Sequence, residues 1–213
     1  MADLLLSLID DTTRGDHTRL AASDTCYYLF EYTSRRRYDF SATNNLISNL
    51  KKKPSTSSSA AYRYKGVAIR QCTEALKKVL NPKWLATGTM VPTPCSKVEG
   101  HADYDDRIEQ ICRGVGANFD VRKLVKQTQS TTASHEMNEG ERLTVEDLLA
   151  VYQIDETVSG PAPTSIAIVD DVLTAGTHYR AMHTVLSARF PKAKIYGIFI
   201  ARRVFPDPFD DET

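Results

Sequence analysis

Late in the chain, four consecutive apolar residues run straight into two aspartates, in the stretch SIAIVDDVLTAGTHYRAM that begins at Ser165. Ile166 to Val169 form the kind of continuous apolar run expected of a strand covered on both faces. Met182, Val185, Leu186 and Phe190 follow at helical spacing, Pro191 closes that helix, and KIYGIFIA from Lys194 is a second buried strand. Strand, helix and strand at this spacing predict a βαβ unit, which requires a parallel pair joined by a right-handed crossover. The chain is therefore expected to be an α/β protein, a parallel sheet flanked by helices.

Upstream, residues 64–80 predict a helix, because Ile69, Cys72, Leu76, Val79 and Leu80 share one face and Asn81-Pro82 ends it. WLATGTMV, from Trp84, reads as a short strand that stops at Pro92 and Pro94. A helix is expected from Asp103 with Ile108, Ile111 and Cys112 on one side, and DVRKLVKQT, from Asp120, as strand. Thr144 with Asp147 three residues on resembles a capping box for a short helix over 145–152. The first sixty residues read as mostly helical and loop-like, with the leucines of MADLLLSLIDD as one face of a first helix. KKKPSTSSSA, from Lys51, is the most linker-like stretch, so the expected division is an N-terminal helical extension over 1–64 and a core over 65–213.

Lysine plus arginine and aspartate plus glutamate number 27 each, so no global field selects nucleic acid or an anionic membrane. The basic triplets Arg35 to Arg37 and Lys51 to Lys53 read as solvated faces or as a local anion-facing patch. No apolar run approaches the ~18 residues of a membrane span. The N-terminal stretch also lacks a basic leader region, and the expected location is cytoplasmic. Cys26, Cys72, Cys95 and Cys112 are scattered without metal-ligand spacing, as expected of reduced thiols.

Ligands of parallel sheets bind at the carboxyl ends of the strands, where Asp170 and Asp171 are expected. The turn that follows leads into a helix N-terminus, whose free N–H groups and dipole favour an anion. Gly176 permits close backbone approach, and Thr174 and Thr177 add hydroxyls. Carboxylates suited to vicinal sugar hydroxyls thus adjoin a phosphate cradle. A bare helix cap needs only one acidic residue; these two aspartates adjoin rather than forming the D-x-D of an aspartate-dependent phosphohydrolase, and the chain contains no Walker loop.

IAIVDDVLTAGTH resembles the phosphoribosyl pyrophosphate (PRPP) motif of type I phosphoribosyltransferases, and the layout over about 150 residues is similar to their ComF-like branch. The resemblance implies that fold, with the N-terminal extension as a hood. It implies that Asp170 and Asp171 bind the ribose hydroxyls and serve catalysis. Thr174, Ala175, Gly176, Thr177 and His178 would bind the 5-phosphate, with His178 standing where the family usually has serine or threonine. MVPTPCSK resembles the family's pyrophosphate loop, giving Ser96 and Lys97 as ligands, with Arg107 as a further candidate. Residues 129–142 sit where relatives have a flexible loop, with Lys126, His135 and Arg142 as contributors.

The activity so implied is Mg²⁺-dependent transfer of a ribosyl 5-phosphate group from PRPP to a nitrogenous acceptor, with pyrophosphate released, Mg²⁺ carried mainly by PRPP, and a homodimer as the usual assembly. The alternative is a sensing or effector module that binds PRPP or a nucleotide without turnover, as in relatives tied to DNA uptake or phage defence.

Overall fold

The structure, a computed structural model, describes residues 4–131 and 143–207. Its first half runs β1 (Ser7–Leu8), β2 (Thr25–Thr33), α1 (Ala42–Leu50), α2 (Arg63–Val79), α3 (Pro82–Leu85), β3 (Thr89–Pro92) and α4 (Arg107–Gly114). The second half adds β4 (Asp120–Val121), β5 (Val125–Gln127), α5 (Val145–Val151), β6 (Tyr152–Ile154), β7 (Ser165–Leu173), α6 (Thr177–Arg189) and β8 (Lys194–Val204).

β7, α6 and β8 form the βαβ unit that the apolar runs predict. The two strands pair in parallel from Ser165↔Lys194 to Leu173↔Arg202. β3 lies parallel on the other side of β7, from Thr89↔Ile166 to Pro92↔Val169. The six-stranded sheet has the order β1-β2-β8-β7-β3-β4, with only β1 antiparallel, and β5 and β6 form a separate antiparallel pair. The protein is thus α/β, with a mostly parallel sheet flanked by helices.

Strand alternation sends Ile166 and Ile168 to one face and Ala167 and Val169 to the other. The first pair packs with Met182 and Leu186 of α6 and Leu148 of α5; the second packs with Leu76 of α2 and Ile111 of α4. Full burial of an isoleucine or valine side chain contributes about 1.5–3 kcal/mol, and Ile166, Ile168 and Val169 are all buried. The helix expected over 64–80 is α2, and Thr144 and Asp147 close a reciprocal capping box on α5.

Three expectations need correction. The leucines near the N-terminus do not form a helix: Ser7 and Leu8 pair with β2, and Leu5 is exposed. TCYYLFEYT is not helical or loop-like but the nine-residue β2, parallel to β8, so the N-terminal region is not a mostly helical extension; its β-branched and aromatic side chains fit a pleated surface. Trp84 begins no strand. Asn81 caps a turn of helix with Pro82 in its first position, and the strand starts only at Thr89.

None of the four cysteines is disulfide-bonded. Among the described residues no helix is long and apolar enough to cross a membrane.

Candidate functional site

The connections leaving β3 and β7 diverge. β7 leads into α6, which packs on the Ile166 and Ile168 face, whereas β3 leads to α4 on the opposite face. Adjacent parallel strands whose connections part in this way open a crevice at their carboxyl ends, the usual ligand position in such sheets. Both expected motifs flank this crevice. The loop after β3 is held to β7, with Thr93 N donating to Val169 O at 2.9 Å, one residue before Asp170.

Beyond β7 the chain turns through Thr174, Ala175 and Gly176 into α6. Gly176 has φ 91°, left-handed backbone that glycine adopts without a steric cost. Among the described residues, the N–H groups of Ala175, Gly176 and Thr177 make no hydrogen bond, and no side chain caps the helix. Thr174 is exposed, and a cavity of about 20 Å³ lies against Asp170, Thr174, Gly176, Thr177 and His178. That space holds one ligand oxygen or one water. Open donors, the dipole of a 13-residue helix and small side chains are features that suit a turn to an anion.

The aspartates behave differently from one another because β7 continues to Leu173 and contains both. Consecutive strand residues face opposite ways, so the two carboxylates do not converge. Asp170 lines the small cavity beside α6. Asp171 is buried on the other face, where Arg107 donates to its Oδ2 from Nε at 3.1 Å and Nη2 at 2.6 Å, and Lys51 Nζ lies 3.3 Å from Oδ1. Arg107 Nη1 also donates to Asp105 at 2.6 Å, and buried Lys65 donates to the same carboxylate at 2.7 Å.

Burial alone would raise the Asp171 carboxyl, but Lys51 and Arg107 hold it far below the usual range. Burial, then the Asp171 charge, pushes Asp170 up to about 7.

His178 does not replace a phosphate-binding hydroxyl in any simple way. Its Nδ1 lies 2.8 Å from the Tyr152 hydroxyl, and burial lowers the ring to about 4, so the imidazole is neutral at pH 7. Lys97 Nζ donates to Thr131 O at 2.9 Å, and the Ser96 carbonyl accepts from Gln127 Nε2, tying the loop after β3 to β5. Beside this loop is a cavity of about 390 Å³, lined among others by Thr93, Lys97, Asp106, Lys126 and Gln127. Thr93 Oγ1 and Gln127 Oε1 are buried there without a partner among the described residues. Lys126 is half-exposed, 4.0 Å from Asp155, while His135 and Arg142 lie outside the described residues.

The structure thus brings Asp170 together with residues 174–178 and places the Ser96–Lys97 loop across the crevice. Arg107 belongs to Asp171 rather than to an open site. Sequence reasoning missed Lys51 as a partner of Asp171, although its basic triplet was read as a possible anion-facing patch. It also missed His17, Tyr152 and Thr93, which carry no pattern of their own. Among the described residues no group of three His, Cys, Asp or Glu side chains is placed to hold a metal ion. Comparison with known proteins leaves the site to stand on its geometry: no family model matches the chain, and no curated protein matches it.

Proposed function

We propose that the chain binds a phosphorylated pentose at the crevice between β3 and β7, and that it is a phosphoribosyltransferase of the type I kind acting on PRPP. The single observation that carries this reading is the turn at the divergence of β3 and β7, where the open N–H groups of Ala175, Gly176 and Thr177 lie beside the carboxyl of Asp170. A 5-phosphate accepts from the amides, and Asp170 accepts from a ribose hydroxyl. Lys97 and Ser96 lie across the crevice, where the pyrophosphate leaves. The 390 Å³ cavity next to them, with two acceptor-capable oxygens unpaired, offers the nitrogenous acceptor a place.

Catalysis on this reading is positioning and charge stabilisation by preset groups. Mg²⁺, when bound through PRPP, would neutralise the pyrophosphate, and Asp170 is a protein carboxylate at the crevice with no ion pair among the described residues. Titration calorimetry with PRPP and Mg²⁺, followed by assay of pyrophosphate release over a panel of bases, tests the reading. Binding with release supports the transferase; no PRPP binding removes it.

A second reading, PRPP or nucleotide sensing without turnover, is favoured by one observation. Asp171 is already neutralised by Arg107 and Lys51 and so is not open to a ribose hydroxyl. Binding without release for every base selects it.

A further inference from the structure

We infer that residues 17–20 form a fixed clasp that presets the turn after β7 for its anion, with His17 as the positioning residue. His17 is fully buried, and its Nδ1 lies 2.5 Å from the Thr174 carbonyl oxygen. Because a carbonyl only accepts, Nδ1 carries the proton in this contact. Two residues on, Arg19 N donates to Ala175 O at 2.8 Å. Leu20 closes over Gly176 so tightly that a Cβ there would stand 3.1 Å from Leu20 Cδ2.

A trans peptide points its C=O and the next residue's N–H in opposite directions. Fixing the carbonyls of Thr174 and Ala175 toward the clasp therefore turns the N–H groups of Ala175 and Gly176 away from it. Those are two of the open donors of the turn. The clasp supplies no ligand contact; it decides which way the donors face.

The clasp is itself held at both ends. Arg203 Nη2 donates to Asp16 O at 2.9 Å and Arg202 Nη1 lies 3.3 Å from Asp16 Oδ2, which fixes it to the end of β8. Arg180, in the first turn of α6, reaches back to Arg19 O at 3.1 Å and also pairs with Asp24. His17 thus sits between two anchored points and bears on the turn from a rigid base.

The inference rests on the proposed pentose-phosphate site only for the identity of the ligand, so the test separates the two. Backbone order parameters of residues 175–177 are measured by NMR in the wild type, His17→Ala and His17→Gln, together with calorimetric titration of ribose 5-phosphate. Leu85→Ala, in α3 ahead of the amino end of β3 and so at the end of the sheet away from the crevice, serves as a control for general loss of stability. Expected are order parameters near 0.85 in the wild type, falling below about 0.6 in His17→Ala and recovering in His17→Gln, which keeps a donor for Thr174. Affinity for ribose 5-phosphate falls about tenfold in His17→Ala, as for loss of a preset hydrogen-bond geometry, and neither readout moves in Leu85→Ala.

Unchanged order in His17→Ala overturns the clasp, whatever happens to affinity. Lost order with a wild type that does not bind ribose 5-phosphate upholds the clasp and removes the pentose-phosphate reading instead.

Discussion

Asp170 and Asp171 are neighbours in the chain and occupy opposite electrostatic worlds. Asp171 looks into the helical layer of α1, α2 and α4, where Arg107 and Lys51 hold it ionised and Lys65 and Asp105 extend the network. Asp170 looks toward α6, where its hydrogen bond is to the N–H of Asp171 at 2.8 Å and burial raises its carboxyl toward neutrality. One carboxylate fastens elements together and the other is poised at an edge. Two adjacent acidic residues after an apolar strand therefore need not share one job; the pleat assigns them separately.

Breaking the fastened side gives the largest effect. Arg107→Leu leaves Asp105 and Asp171 buried without their shared partner, and removing one member of a buried pair costs about 3–5 kcal/mol. A fall of that size in urea-unfolding free energy is expected; a loss below about 1 kcal/mol would mean that the network behaves as a surface pair.

On the poised side, Asp170→Asn leaves the fold in place and weakens ribose 5-phosphate binding by about 1.5–3 kcal/mol, the worth of a hydrogen bond to a charged group. Calorimetry reads the affinity and circular dichroism the fold. With the Asp170 carboxyl near 7, the carboxylate fraction grows as pH rises, so affinity should climb from pH 6 to 8, and this climb should vanish in Asp170→Asn. The same raised carboxyl subtracts stability as pH rises from the unfolded value of 3.8 through about 7, so Asp170→Asn removes that decline too.

Gly176→Ala sharpens the picture of the turn. A side chain at φ 91° meets Leu20, and the strain should cost about 1–2 kcal/mol of stability, visible as a lowered midpoint of thermal unfolding.

The smallest effect is expected at His178. A half-buried histidine held neutral by desolvation withdraws stability as pH falls from the ordinary histidine value of 6.5 toward about 4, because the unfolded chain takes the proton first. His178→Gln should flatten the pH dependence of the unfolding midpoint in that window.

The βαβ unit and α2 were legible because their apolar residues repeat at one period over a long window. The Thr144 cap was legible because two side chains at fixed spacing suffice. β2 was not: Tyr27, Tyr28, Phe30 and Tyr32 are apolar enough for either a helix or a strand, and only the pairing with β8 decides. The division of labour at Asp170 and Asp171 was hidden by taking the strand to end at Val169, whereas it runs four residues further. Lys51, Lys65 and the Asp105–Arg107 stretch come from three separate places in the chain, and His17 reaches Thr174 across 157 positions. Contacts of that range leave no local trace in a single sequence.

The pairing of β2 with β8 sets Thr25 beside Tyr196 and Thr33 beside Val204. Contacts between segments so far apart raise the contact order, and chains of high contact order search slowly, on a scale of milliseconds to seconds. During synthesis, residues 25–33 must wait with one edge unsatisfied until β8 has left the ribosome. A fragment lacking them would leave β8 with a bare margin open to pairing between molecules, so aggregation rather than a smaller stable unit is the outcome to expect of such a truncation.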